Sequence, residues 1–171
     1  GTSVVEAAVP DRPPPLDFSE QAASSAAPAT PSPPARSRPR RLNAVVGDIE
    51  GNLRRAREAR AQAARAGADL IAFTELFLTG YPIEDLVLKP ALRKAAHEAC
   101  EALARDTEDG GPAMLVGLPW SEAALVYNAV ALLDGGRIEA VCYKYNLPNY
   151  GVFDEKRVFQ PGPAPGPIVL K

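Results

Sequence analysis

Hydrophobic and polar positions divide this chain at about residue 42. From there on, apolar residues recur with the periods of helices and strands. "LRRAREARAQAARAGA" carries Leu53, Ala56, Ala59 or Arg60, Ala63 and Ala64 at helical spacing. Asn52 is placed to cap this helix, and Gly67 to end it as the glycine after the last turn. "DLIAF" at 69–73 follows as a short run of apolar residues, the pattern of a strand covered on both faces in a parallel or mixed sheet. A second helix is expected from Pro90 through "ALRKAAHEACEALARD", with Leu92, Ala96, Ala99, Cys100 and Leu103 as its buried stripe. Three more strands are read at 113–119, 125–133 and 137–144, the last two joined by "DGG" as a hairpin. Helices alternating with strands indicate an α/β fold.

Residues 1–41 read differently. They hold nine of the chain's 18 prolines, many Ala and Ser, and one aromatic, Phe18. Such a stretch buries too little apolar surface to offset the entropy of ordering it, so a disordered Pro/Ala/Ser/Arg-rich arm is expected. The basic cluster "RSRPRR" at 36–41 reads as a solvated linker, and a net charge of −2 gives no reason to expect nucleic acid as a partner. No segment is apolar enough for a membrane helix, and two cysteines with one histidine form no disulfide framework or metal-site spacing. A reducing, cytoplasmic setting fits. The chain opens on Gly and stops at "GPIVLK", so both ends read as cut.

Two strands end in opposite charges, Glu75 just after "DLIAF" and Lys144 at the close of 137–144. Strand ends are where layered α/β folds build sites, because the sheet fixes position and the loops supply shape. An ammonium beside a carboxylate in a partly dry cleft stabilises the ionised acid and can also hold a developing oxyanion. After Lys144, "YNLPNYGVFDEKRVF" reads as a structured loop whose Tyr145, Tyr150 and Phe153 can wall a pocket. What the pair lacks is a nucleophile. Cys142 shares a strand face with Lys144 but sits in "AVCY" as a small core residue, Cys100 lies on a helical apolar stripe, and no "GxSxG" elbow exists.

"VVGDIEGN", "ADLIAFTELFLTGYP" and "YNAVALLDGGRIEAVCYKYNLPNYGVFDEKRVF" together resemble the nitrilase superfamily of carbon–nitrogen hydrolases. Within it they are most similar to the N-terminal glutaminase domains of bacterial glutamine-dependent NAD⁺ synthetases. The resemblance covers about residues 42–170. It implies a partial αββα sandwich over 42–171 and a Glu–Lys–Cys triad in which Glu75 is the general base and Lys144 stabilises the tetrahedral intermediate. It places Tyr81, Tyr150 and Phe153 around the glutamine pocket and Glu155 as a supporting glutamate. It implies no cofactor for this domain, with ATP and Mg²⁺ used in a separate synthetase domain, glutamine as substrate and a homo-oligomeric parent.

Three departures from the family pattern follow. The catalytic cysteine belongs to a later strand that these 171 residues do not reach. The family's first strand is replaced by "PARSRPRR", with Ala44 where a proline is usual, and Asn146 stands where relatives often have His. The expectation is therefore a glutaminase fragment that is inactive alone and marginally stable. The alternatives are a fragment of a stand-alone amidase or nitrilase, or a non-catalytic remnant with a Pro-rich interaction arm.

Overall fold

The computed structural model describes residues 42–151, 153–164 and 166. The expected Pro-rich arm lies outside them.

The first helix, α1 (Ile49–Arg65), begins three residues before the expected cap. Asp48 is the N-cap, its carboxylate accepting a hydrogen bond from the Gly51 N–H at 2.9 Å. Asn52 instead lies fully buried within the first turn. Its amide donates to the carbonyls of Val45 at 2.8 Å and Leu78 at 3.1 Å, tying the chain entering α1 to the segment after the first strand. Asn and Asp cap equally well, so the spacing could not distinguish a cap from a buried clamp. Gly67 ends the helix as expected, and both Ala59 and Arg60 face inward.

The second helix, α2 (Pro90–Asp106), starts with Pro90 in its first turn, where the missing N–H costs nothing. A short 3₁₀ helix, Glu84–Leu88, precedes it. The four strands are β1 (Leu70–Ala72), β2 (Ala113–Glu122), β3 (Leu125–Asp134) and β4 (Arg137–Tyr143), ordered 1-2-3-4. The β1–β2 pair is parallel and the others antiparallel. The DGG hairpin is present, and a second tight hairpin joins β2 to β3.

Both helices pack on one face of the sheet. Ala56 of α1 and Ala99, Cys100 and Leu103 of α2 meet Met114, Val116 and Leu118 of β2 and Ala131 and Leu133 of β3 in one core. Period-two alternation sends Gly117, Asn128, Val130 and Cys142 to the opposite face. There Val130, Leu132, Ala140 and Cys142 are only half-buried.

The expectation that "DLIAF" is covered on both faces is corrected. β1 spans three residues and Leu70 is 48% exposed. Among the described residues its one strand neighbour is β2. No described helix is long and apolar enough to cross a membrane.

Candidate active site

The chain leaves β1 alongside β2, with the Phe73 N–H bonded to the Leu115 carbonyl at 2.9 Å and the Leu78 N–H to the Gly117 carbonyl at 3.1 Å. Glu75 opens the turn between these anchors. Gly117 makes the approach possible, since a Cβ there would stand 2.5 Å from both the Leu76 nitrogen and the Thr74 oxygen. Leu76 takes a left-handed φ of 49°, which costs a branched side chain about 1–2 kcal/mol. Its burial against Ile83, Val87, Leu147 and Phe159 offsets that cost. Glu75 is thus held by backbone contacts in a turn pressed against Gly117 of β2.

Lys144 is the first residue past β4, and its N–H is bonded to the Asn128 carbonyl at 2.8 Å. Its ammonium donates to Glu75 Oε1 at 2.6 Å and to Glu155 Oε1 and Oε2 at 3.0 and 2.9 Å. Burial alone would pull this ammonium's pKa down, but the hydrogen bonds to Glu75 and Glu155 outweigh burial and hold it above the usual lysine value. The cluster thus sets two carboxylates against one ammonium.

The loop after Lys144 is irregular, as read, apart from one 3₁₀ turn, Glu155–Arg157. That turn carries Glu155 beneath the lysine. Tyr81 lies across from it, its hydroxyl 3.5 Å from Glu155 Oε1, and burial followed by the charge of Glu155 pushes the phenol's pKa up. The Tyr81–Pro82 peptide is cis.

Two cavities flank the cluster. One of about 430 Å³ is lined by Leu76, Tyr81, Ile83, Phe153, Glu155 and Phe159. The other, of about 290 Å³ on the helix-free face of the sheet, is lined by Phe73, Glu75, Gly117, Asn128, Cys142 and Lys144. Lys144 bridges a carboxylate from each. Tyr150 lines neither; it is 70% exposed and meets Phe153 edge to face at 5.6 Å. Cys100 sits in the helix–sheet core, where burial pushes its thiol up to about 12. Among the described residues no three His, Cys, Asp or Glu side chains gather as a metal site.

Sequence reasoning missed Asn128 and Gly117. Asn128 is buried and donates to Glu75 Oε1 at 2.6 Å. Its signal was an amide inside the apolar run "LVYNAVALL", where a polar group needs a buried partner. Gly117 carried a weaker signal, a glycine inside a strand.

The sequence and this geometry have clear counterparts among known proteins. A glutamine-dependent NAD⁺ synthetase of Thermotoga maritima is 45% identical over 121 residues, 71% of this chain and 21% of that protein. The solved glutamine-dependent NAD⁺ synthetase of Acinetobacter baumannii superposes with a TM-score of 0.66 at 40% identity, over 71% of this chain and 23% of that one. An amidase from Nesterenkonia superposes with a TM-score of 0.62 at 30% identity, over 74% of this chain and 48% of that one. The chain therefore spans about a fifth of the length of the synthetases it matches. The model of the carbon–nitrogen hydrolase family matches residues 31–170, including Glu75, Lys144 and Glu155, and the chain belongs to that family.

Proposed function

We propose that this chain is part of the glutamine-hydrolysing domain of a glutamine-dependent NAD⁺ synthetase, supplying the base, the lysine and the supporting glutamate of its site. The observation that carries the reading is the Lys144 ammonium held between Glu75 and Glu155. Glu75 takes the thiol proton of a cysteine, whose sulfur bonds to the carboxamide carbon of glutamine. Lys144 holds the oxyanion so formed. Glu75 returns the proton to the nitrogen as the C–N bond breaks and ammonia leaves, and water then hydrolyses the thioester. Tyr81 and Phe153, which line the larger cavity, bound the glutamine. Cys100 is enclosed in the core and Cys142 stands on the strand that leads into the lysine; in this reading the nucleophile is neither of them but a further cysteine of the parent domain.

In the parent protein, the ammonia is used by a synthetase domain acting with ATP and Mg²⁺ on a deamido dinucleotide, in a homo-oligomer in the cytoplasm. The likeness to the Nesterenkonia amidase supports a second reading, the same chemistry on a simpler amide, but at lower identity.

A chimera tests the choice. Residues 42–166 replace their counterpart in the Thermotoga maritima synthetase, and NAD⁺ formation is followed with glutamine or with ammonia. The expected result is activity with both nitrogen sources, and loss of the glutamine-dependent rate alone in Lys144→Ala. A chimera that uses ammonia but not glutamine overturns the glutaminase reading.

A further inference from the structure

Glu75 is held by more than the lysine. Asn128 Nδ2 and Lys144 Nζ both lie 2.6 Å from the same oxygen, Oε1, while Oε2 has no hydrogen-bond partner among the described residues. The orientation of the Asn128 amide follows from its partner, since an ionised carboxylate only accepts and the NH₂ group must face it. Asn128 is 3% exposed in the middle of β3. Its main-chain carbonyl also receives the Lys144 N–H at 2.8 Å. One residue therefore sets the base through its side chain and the lysine through its backbone.

We propose that Asn128 is the positioning residue for Glu75, pinning Oε1 together with Lys144 so that proton transfer falls to Oε2. This rests on the reading of Glu75 as the base. Two donors on Oε1 occupy its lone pairs and withdraw charge from it, leaving the unpartnered oxygen to meet an incoming proton. They also fix the plane of the carboxylate, which a single flexible lysine cannot do. The residue type fits the task. Aspartate would set a third carboxylate around one ammonium, and leucine of similar size would leave Glu75 free to rotate.

The test begins with the full chain, ¹⁵N-labelled, by following the Asn128 side-chain amide against pH. The expected result is an amide proton downfield of free asparagine amides that shifts as Glu75 is protonated. The step should vanish in Glu75→Gln and persist in Glu155→Gln, because Lys144 stays charged throughout the acid range. An Asn128 amide signal that ignores pH, or a step that survives Glu75→Gln, overturns the proposal. In the chimera described above, Asn128→Ala is expected to lower kcat for glutamine about 100-fold relative to the ammonia-dependent rate, with KM little changed. A rise in KM at unchanged kcat also overturns it. A chimera inactive with glutamine from the outset counts against the glutaminase reading, and the amide signal still decides the role of Asn128.

Discussion

Lys144 is bound more completely by Glu155 than by Glu75. Both oxygens of Glu155 accept from its ammonium, at 3.0 and 2.9 Å, and the Glu155 side chain is 8% exposed against 42% for Glu75. The two carboxylates therefore have different duties, one anchoring the lysine and the other remaining open to solvent and substrate. Removing the buried acceptor leaves an ammonium short of partners, and hydrogen bonds to charged groups contribute about 1.5–3 kcal/mol each. Exposed pairs contribute less than about 1 kcal/mol. Glu155→Gln should thus lower the urea midpoint well beyond Glu75→Gln. Equal losses in the two variants would show that the division is not energetic.

Gly117 carries the second prediction. The atoms that a Cβ would meet at 2.5 Å are backbone atoms of Thr74 and Leu76, which cannot swing aside as a side-chain end can. Gly117→Ala should cost about 1–3 kcal/mol by overpacking and displace the Glu75 turn. Chemical denaturation measures the first, and a shift of the Glu75 amide resonance reports the second. A loss below about 0.5 kcal/mol, the scale of a neutral surface change, would show that the turn does not depend on this close approach.

Much of this organisation was legible in the sequence, and what was missed has physical causes. Helical spacing located both helices, and the charged strand ends marked Glu75 and Lys144, because these signals are local. The Asn52 cap failed because Asp48, four residues earlier, competes for the same role, and only the distant carbonyl of Leu78 shows what Asn52 does. Glu155 was reached through family resemblance alone. It lies eleven residues beyond Lys144 in an irregular loop, and no periodicity brings such a residue back beneath a strand end. Asn128 sits 53 residues from its partner Glu75, so its polar signal could be seen but not assigned.

At the end of the sheet away from the candidate site, Arg60 sets an acid limit on stability. Its guanidinium donates to Asp109 at 2.9 and 2.6 Å and to the Pro112 carbonyl at 2.8 Å. The Arg60 hydrogen bonds, with help from the Gly111 N–H, lower the Asp109 pKa from 3.8 to about 2. A carboxyl depressed in the folded state binds its proton more readily when unfolded. Its contribution is therefore complete above the unfolded value, near 3.8, and is lost as pH falls towards about 2. Asp109→Asn should lower thermal stability at neutral pH and flatten its decline through that acid window. Melting curves from pH 5 to 2 provide the comparison, and an equally steep decline in the variant would place the acid sensitivity elsewhere.

The two thiols should differ sharply in reactivity. Cys100 is fully buried between α2 and the sheet, and burial pushes its pKa to about 12, so it offers almost no thiolate at neutral pH. Cys142 is half-buried on the helix-free face and lines the smaller cavity with Glu75 and Lys144. An alkylating reagent at neutral pH should therefore add once to the folded chain, at Cys142, and a second time only in denaturant. Peptide mass mapping distinguishes the sites. The adduct at Cys142 should also perturb the Lys144 resonances, since both side chains line the smaller cavity. Prompt labelling of Cys100 in the folded chain would mean that α2 opens from the sheet far more readily than its packing implies.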